Sequence, residues 1–332
     1  MKIGLTYDLR QDYLDMGFSE EETAEFDKID TIEGIENALK KLNFEVERIG
    51  HAKSLVSKLH EGKKWDLVFN IAEGLKGLGR EAQVPAILDV YQIPYVFSDV
   101  LTLSLTLHKG MTKSVIRDNG IPTADFFVVN SASDIEKVKL PYPLFAKPVA
   151  EGTGKGINAM SKISNFEELK TSCETLLKQF NQPVLVETFL SGREFTVGIV
   201  GNGETAKVVG IMEIIFNKEA KMNAYSYDNK ENYLEKVKYT KAEDELAEKC
   251  KIVALNSWRV LNCADGGRVD IRVDSKGIPN FIEVNPLAGL NPTHSDLPIL
   301  CRMNNISYDK LIEMIMDASL KRHGITLKII TK

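Results

Sequence analysis

The sequence predicts an α/β (α+β) protein of three domains, an N-terminal parallel-sheet domain followed by two α+β domains. Three observations predict it. Between Lys2 and Phe97 apolar strands alternate with helix-period stripes, the pattern of a parallel sheet covered by helices. Between Asp125 and Phe189 strands flank two helical stretches, and one strand runs straight into a glycine-bearing loop. Beyond Arg193 the turn chemistry becomes that of antiparallel hairpins. A chain of 332 residues is too long for one core. The changes of pattern set domain limits at 1–105, 106–190 and 191–332.

Hydrophobic residues make up 43% and charged residues 27%, the balance of a globular chain. A net charge of −5 without a long basic run argues against nucleic acid as a partner. It does not argue against a nucleotide, because phosphate binding needs only local donors. Cys173, Cys250, Cys263 and Cys301 stand far apart with no C-x-x-C pair, which speaks against a zinc site or a disulfide framework. Polar residues interrupt the N-terminal segment at Thr6 and Asp8, too early for a signal peptide. No apolar run reaches membrane-spanning length, so no membrane partner is expected and a cytoplasmic location is the default.

Residues 2–7 read as a first strand, apolar like a buried parallel strand. Ser19 with Glu22, and Asp30 with Glu33, read as two helix starts of the capping-box type. The second opens a stripe of Ile32, Ile35, Leu39 and Leu42 at helical spacing. Strands follow at 44–49, 66–70 and 94–97, with helices at 54–61 and 80–91. A helix over 104–119 is ended by Gly120 and Pro122. In the middle segment strands are expected at 125–130, 143–148 and 184–189, and helices at 133–138 and 166–180. The last segment opens with strands 193–200 and 207–214 across the turn Gly201-Asn202-Gly203. Residues 217–240 show no period, and a connection that long in a compact domain serves as a lid or binding loop. A helix over 241–261, a hairpin over 267–285 and a mostly helical end over 297–323 complete the chain.

That hairpin carries the densest chemistry. Side chains at i and i+2 of a strand share a face, so Glu283 and Asn285 project together from Phe281-Ile282-Glu283-Val284-Asn285-Pro286. The partner strand, closed by Asp274-Ser275-Lys276-Gly277, can set Asp270 beside them, with Arg268 near. Three hard oxygen ligands suit magnesium, which keeps some waters and shares phosphate oxygens. A half-buried hairpin with solvated charges fits the same spacing.

A second concentration follows Lys147, where Glu151-Gly152-Thr153-Gly154-Lys155-Gly156 comes soon after a strand. Backbone N–H groups of such a loop can close over phosphate oxygens, and glycines permit the approach. It is not a Walker A loop, since no G-K-[ST] opens a helix. The strand pattern resumes at Ile157, so a plain hairpin turn fits as well. From Glu187 to Glu194 an apolar strand bends between two domains. Such a bend can offer backbone groups to an adenine, and an acid there can bind ribose hydroxyls. Glu73 lies in a glycine-bearing loop at the carboxyl end of a strand, where open α/β sheets bind ligands, although a surface acid fits there too.

In this order Lys109, Lys147, the glycine flap, Glu187, Glu194, Asp270, Glu283 and Asn285 resemble the ATP-grasp superfamily. More narrowly, nearly the whole chain resembles its D-alanine–D-alanine ligase branch. The resemblance implies a three-domain ATP-grasp architecture whose second and third domains clamp ATP. It implies a ligase forming carbon–nitrogen bonds, in which ATP phosphorylates a carboxylate and an amine attacks the acyl phosphate. It assigns the ATP phosphates to Lys109, Lys147 and the flap residues Glu151, Gly152, Thr153 and Gly154. The adenine side falls to Glu187, Phe189 and Leu190, the ribose to Glu194, and Mg2+ to Asp270, Glu283 and Asn285. Arg268 and the Gly289 N–H match the donors that stabilise the tetrahedral intermediate, and Lys230 matches the lid's lysine. Ser295 matches the serine that holds the incoming amino acid's carboxylate. The partners implied are small-molecule carboxylates and amines, and since the family often dimerises through its first domain, a homodimer is left open.

The departures from the family pattern cluster on the amino-acid side. In Tyr225-Ser226-Tyr227-Asp228-Asn229-Lys230-Glu231 the lid keeps two tyrosines and the lysine, while Glu231 replaces the last tyrosine. Glu73 stands for the first-domain histidine, Glu25 or Asp27 for the amine-binding glutamate, and Thr153 for the flap's serine. These acids fit a cationic or amine-bearing substrate, and solvated surface acids fit the same positions; the first reading gives an amino-acid or dipeptide ligase that does not join two D-alanines. A D-alanine–D-alanine ligase and a silent ATP-binding regulator are the alternatives.

Overall fold

The computed structural model describes residues 1–216 and 237–326. Strand β1 (Lys2–Thr6) lies at the centre of a parallel sheet and buries nearly its whole length. A short helix α1 (Arg10–Asp15) precedes α2 (Ile29–Lys41), whose Ile32, Ile35 and Leu39 are buried as their spacing requires. Then come β2 (Glu45–Gly50), α3 (Ala52–His60) and β3 (Leu67–Asn70), giving the order β2-β1-β3. The Ser19–Glu22 capping box forms, with Glu22 N donating to Ser19 Oγ at 3.2 Å, yet it closes only a run of turns. Capping satisfies local donors, and no apolar stripe follows that would carry a helix onward. The helix expected from Asp30 begins at Ile29, with Asp30 in its first turn.

The strand expected at 94–97 is a single bridge, Val68 to Tyr95. Phe97 turns left-handed (φ 78°), and its N–H donates to Asp265 in the last domain at 2.8 Å. The 80–91 helix is a 3-10 turn, Arg80–Ala82, continuing into α4 (Gln83–Val90). The expected 104–119 helix is two helices, α5 (Val100–Leu107) and α6 (Lys109–Asp118). His108 breaks them at φ −87°, ψ 87°, and its Nδ1 caps α6 by accepting from Met111 N at 3.2 Å. The break puts Lys109 at a helix start instead of in mid-helix.

The second sheet has the order β4-β7-β5-β6, from β4 (Phe126–Val129), β5 (Leu144–Pro148), β6 (Lys162–Ile163) and β7 (Val184–Thr188). A 3-10 turn, Ala132–Lys137, stands where an α-helix was expected, and α7 (Phe166–Phe180) is capped by Asn165. No strand resumes at Ile157. Asn158 and Ser161 side chains take up the local N–H groups and hold residues 157–161 in turns.

The third sheet runs β10-β9-β8-β11-β12, from β8 (Glu194–Val200), β9 (Lys207–Phe216), β10 (Val237–Lys241), β11 (Gly266–Val273) and β12 (Pro279–Asn285). Helix α8 (Glu245–Val260) starts later than expected because Lys241 still pairs in β10 and Asp244 supplies the cap. The C-terminal helical region is two helices, α9 (Asp296–Met303) and α10 (Tyr308–Arg322). One apolar core joins Ile3, Ile32 and Phe69 to Leu297, Leu311 and Ile315, so the first sheet packs on the last helices. The second sheet has its own core around Leu144, Leu169 and Val186. No helix among the described residues is long and apolar enough to cross a membrane.

Candidate active site

The hairpin of β11 and β12 sets Asp270 opposite Glu283 and Arg268 opposite Asn285, with a bulge just after Asp270. Asp270 Oδ1 accepts from Thr196 Oγ1 at 2.8 Å, while Oδ2 faces the Arg268 guanidinium and Asn285 Nδ2. Arg268 also reaches Asp296 at 3.8 Å. Two carboxylates and an amide on paired strands form a hard-oxygen donor set that fits Mg2+, with waters and phosphate oxygens completing its shell. Among the described residues no group of three or more His, Cys, Asp or Glu is placed to hold a metal.

Two lysines converge on this hairpin from other elements. Lys109, at the start of α6, lies 3.6 Å from Glu283 and donates to the Glu151 carbonyl at 2.6 Å. Lys147, at the end of β5, lies 4.0 Å from Glu283 and 3.1 Å from Glu187. Burial works against the Lys147 charge, but Glu187 and Glu283 outweigh it and hold the ammonium above its ordinary pKa. Glu187 is itself buried between Lys147 and Lys113, the latter 2.8 Å away and fully buried. Burial alone would raise the Glu187 carboxyl, yet the two lysines bring it down to about 2. Lys113 also donates to Thr123 Oγ1 at 2.7 Å, and Thr123 in turn holds the Phe281 carbonyl at 2.8 Å. A buried carboxylate is stable only when paired in this way, so Glu187 braces the site.

Glu194 lies directly opposite Arg272 across β8 and β11, at 2.9 Å. Burial raises its pKa, with Arg272 opposing. Phe189 is flanked by the Arg272 guanidinium at 5.3 Å and the Lys162 ammonium at 4.6 Å, and it leans on Phe145. Phe145, Phe189, Leu190, Glu194 and Arg272 line a narrow cavity of about 90 Å³.

The flap folds down over that cavity. Thr153 is left-handed (φ 51°), an uncommon state for a β-branched residue, and its Oγ1 is buried without a hydrogen-bond partner. Gly156 needs its φ of +74°, and a Cβ there would meet Pro148 at 2.6 Å. Beyond the flap opens a cavity of about 410 Å³. The two cavities share Lys109, Glu151, Gly152 and Glu283. Arg268, Gly289 and Ser295 line one wall of the larger one, and Glu25, Asp27, Glu73 and Glu81 the other. Ser295 Oγ accepts from Asn291 N at 3.0 Å and lies 2.9 Å from where a Gly289 Cβ would sit. Lys230 lies outside the described residues, as does most of the 217–240 lid.

The four first-domain acids are not equivalent. Glu25 pairs with Arg80 at 2.7 Å, which together with Lys155 keeps its carboxyl below the usual value despite burial. Burial and neighbouring acids push Asp27 up to about 7 and Glu81 up to about 7, and raise Glu73 well above its ordinary value. The native state therefore holds protons on these groups that the unfolded chain has released, so stability falls as pH rises. The unliganded protein is expected to lose thermal stability between about pH 5 and 8 as Asp27 and Glu81 ionise against Asp8, Asp30 and Glu25. Thermal melts of Asp27→Asn should show a flatter dependence and a higher midpoint at the alkaline end. A midpoint that rises with pH in this window would contradict the assignment.

Known proteins bear on this arrangement. The family described as D-ala D-ala ligase C-terminus matches residues 115–317. The chain belongs to the D-alanine–D-alanine ligase family. The D-alanine--D-alanine ligase of Actinobacillus pleuropneumoniae serotype 5b is 33% identical over 291 residues, covering 86% of this chain and 90% of that protein. The crystal structure of D-alanine--D-alanine ligase from Bacillus anthracis complexed with ATP superposes with a TM-score of 0.74 at 25% identity, over 98% of this chain and 99% of that one. The VanG D-Ala:D-Ser ligase from Enterococcus faecalis shares the fold, with a TM-score of 0.74 at 20% identity, covering 96% and 99% of the two chains. The fold is that of the ATP-grasp D-alanine ligases.

Several residues of this ligase-family site are absent from the sequence-based set. Arg272 had a signal, because Arg268, Asp270 and Arg272 follow one another at period two on one face of β11. Lys113 had one as well, being four residues after Lys109 on α6. Lys155 pairs locally with Glu151 but reaches Glu25 only in the fold, and Arg80, Glu81 and Asp296 had no signal, since they meet the site only through the tertiary fold.

Proposed function

We propose that this member of the family is an ATP-dependent ligase that joins a carboxylate to an amine in a peptide (amide) bond through an acyl phosphate. One observation carries the reading: Lys109 and Lys147 meet Glu283, beside Asp270 and Asn285, at the junction of the two cavities. Phosphate charge is thereby handled next to the wall that holds Arg268 and Gly289. Lys109, Lys147 and the flap N–H groups of residues 151–154 hold the phosphates, and Thr153 Oγ1 supplies a further polar contact. Asp270, Glu283 and Asn285 would hold Mg2+, which offsets charge on the transferring phosphoryl group. Glu187, Phe189 and Leu190 flank the base, and Glu194 takes the ribose. Arg268 and the Gly289 N–H then stabilise the oxyanion that forms when the amine attacks. Ser295 holds the carboxylate of the incoming amino acid. Lys230 and the lid exclude water from the acyl phosphate. The setting proposed is the cytoplasm, and a homodimer through residues 1–105 is the assembly proposed.

On the amine side the wall of Glu25, Asp27, Glu73 and Glu81 favours a substrate with an additional amine or cationic group over two D-alanines, because among the described residues only Glu25 of the four has an ion-pair partner. The test is ATP-dependent phosphate release screened against single amino acids and pairs, with product analysis. Release stimulated most by a diamino acid, with an amide product, is expected. Activity with D-alanine alone would overturn the altered substrate side, and no release with any amino acid would favour a silent ATP-binding protein.

A further inference from the structure

We infer that Arg80 is a positioning residue for the glycine flap: one guanidinium ties residues 150–156 to the first-domain wall of the substrate cavity. The inference rests on the proposed ATP-dependent reading for its consequence, though its geometry is independent of it. Arg80 is 6% exposed, and its two arms reach different parts of the chain. Nη2 donates to Glu25 Oε2 at 2.7 Å, and Nη1 donates to the Ala150 carbonyl at 2.7 Å. Glu25 completes the circuit, since its other oxygen accepts from the Gly152 N–H. Lys155, on the far side of the flap, lies 3.5 Å from Glu25 and pairs with Glu151.

The base of this latch is closely packed. Gly74 (φ 72°) lets the preceding loop fold back until a Cβ there would lie 2.6 Å from the Arg80 carbonyl oxygen. A planar fork with fixed donors can hold a carboxylate and a carbonyl at once, whereas a lysine offers one point charge. The cavity beneath the flap, about 90 Å³, is far below the roughly 300–1,000 Å³ of small-molecule sites. A nucleoside triphosphate therefore enters only when the flap lifts, and the flap closes again against the Arg80–Glu25 pair. Because Glu25 also lines the larger cavity, a substrate cation drawn to Glu25 competes with Arg80 and is felt at the flap. Arg80 thus couples the amine side to the phosphate side without touching the reacting atoms.

Amide hydrogen exchange on the unliganded full chain tests this, with the dissociation rate of ATP as a second measurement. Arg80→Lys keeps the charge and loses the fork. Exchange of the 152–157 amides is expected to rise about tenfold or more, with β1 and β3 unchanged, because only the local opening becomes easier. ATP should leave faster by a similar factor. Gly152→Ala loads the latch from the other side, since its Cβ would meet Glu25 Oε1 at 2.7 Å, and it should raise flap exchange with Arg80 in place. Flap exchange and ATP dissociation both unchanged in Arg80→Lys, or a rise spread evenly over β1 and β3, would overturn the positioning role. If Arg80→Lys does not fold, unchanged flap exchange in Gly152→Ala overturns it. A wild-type chain that binds no ATP overturns the functional reading instead, and the exchange result alone then decides the latch.

Discussion

Asp270→Asn is expected to slow phosphoryl transfer from ATP by about 10²–10³-fold while the chain remains folded. The substitution keeps the side chain's shape and its contact with Thr196 Oγ1, which is a hydroxyl able to donate to either group. It removes one of the two carboxylates that face the junction of Lys109 and Lys147. Glu283 and Asn285 alone then give a donor set with a single negative charge, and Mg2+ prefers more. Arg268 keeps Asp296 at 3.8 Å, so its charge is not stranded. Single-turnover ADP formation, with the amino acid that the phosphate-release screen identifies, measures the effect. A rate equal to wild type would remove Asp270 from the metal set.

Arg268→Lys separates the second chemical step from the first. The guanidinium is buried, and although burial disfavours its charge, Asp270 and Asp296 keep it firmly protonated. Lysine retains the charge but not the fork, so a donor to the developing oxyanion is lost. Removing one such donor costs about 10²–10³ in rate. The expected signature is a preserved burst of ADP followed by amide formation slowed by that factor. A burst slowed as much as the amide would instead mean that Arg268 acts chiefly by holding Asp270. Arg268→Met is the poorer choice, because it would remove the cation from two half-buried carboxylates.

Much of this site was legible along the chain because strands and helices have fixed periods. Glu283 and Asn285 share a face of β12 for the same reason that Arg268, Asp270 and Arg272 share one of β11. The order of lysines, glycines and carboxylates then identified the family on which the phosphate end is built. The misplaced elements were those where a local rule met a distant partner, a competing cap or no packing to carry it onward. Phe97 was drawn out of a strand by Asp265, and Ser19 formed a capping box with no helix behind it. The 104–119 helix broke at His108, and that break is what aims Lys109 at Glu283.

The sequence by itself determined the fold class and the hairpin of oxygen donors, because each is a short-range pattern in one or two elements, and the order of its charged residues singled out Lys109 and Lys147 through the family resemblance. Only the tertiary structure decided how charge is shared. Glu187 is braced between Lys113 and Lys147, Arg268 is drawn to Asp296, and Glu25 is held between Arg80 and the flap. Those pairings join residues up to 127 positions apart, as Glu25 and Gly152 are. A buried charge takes whichever partner the packed chain brings within reach, and sequence spacing carries no record of that distance.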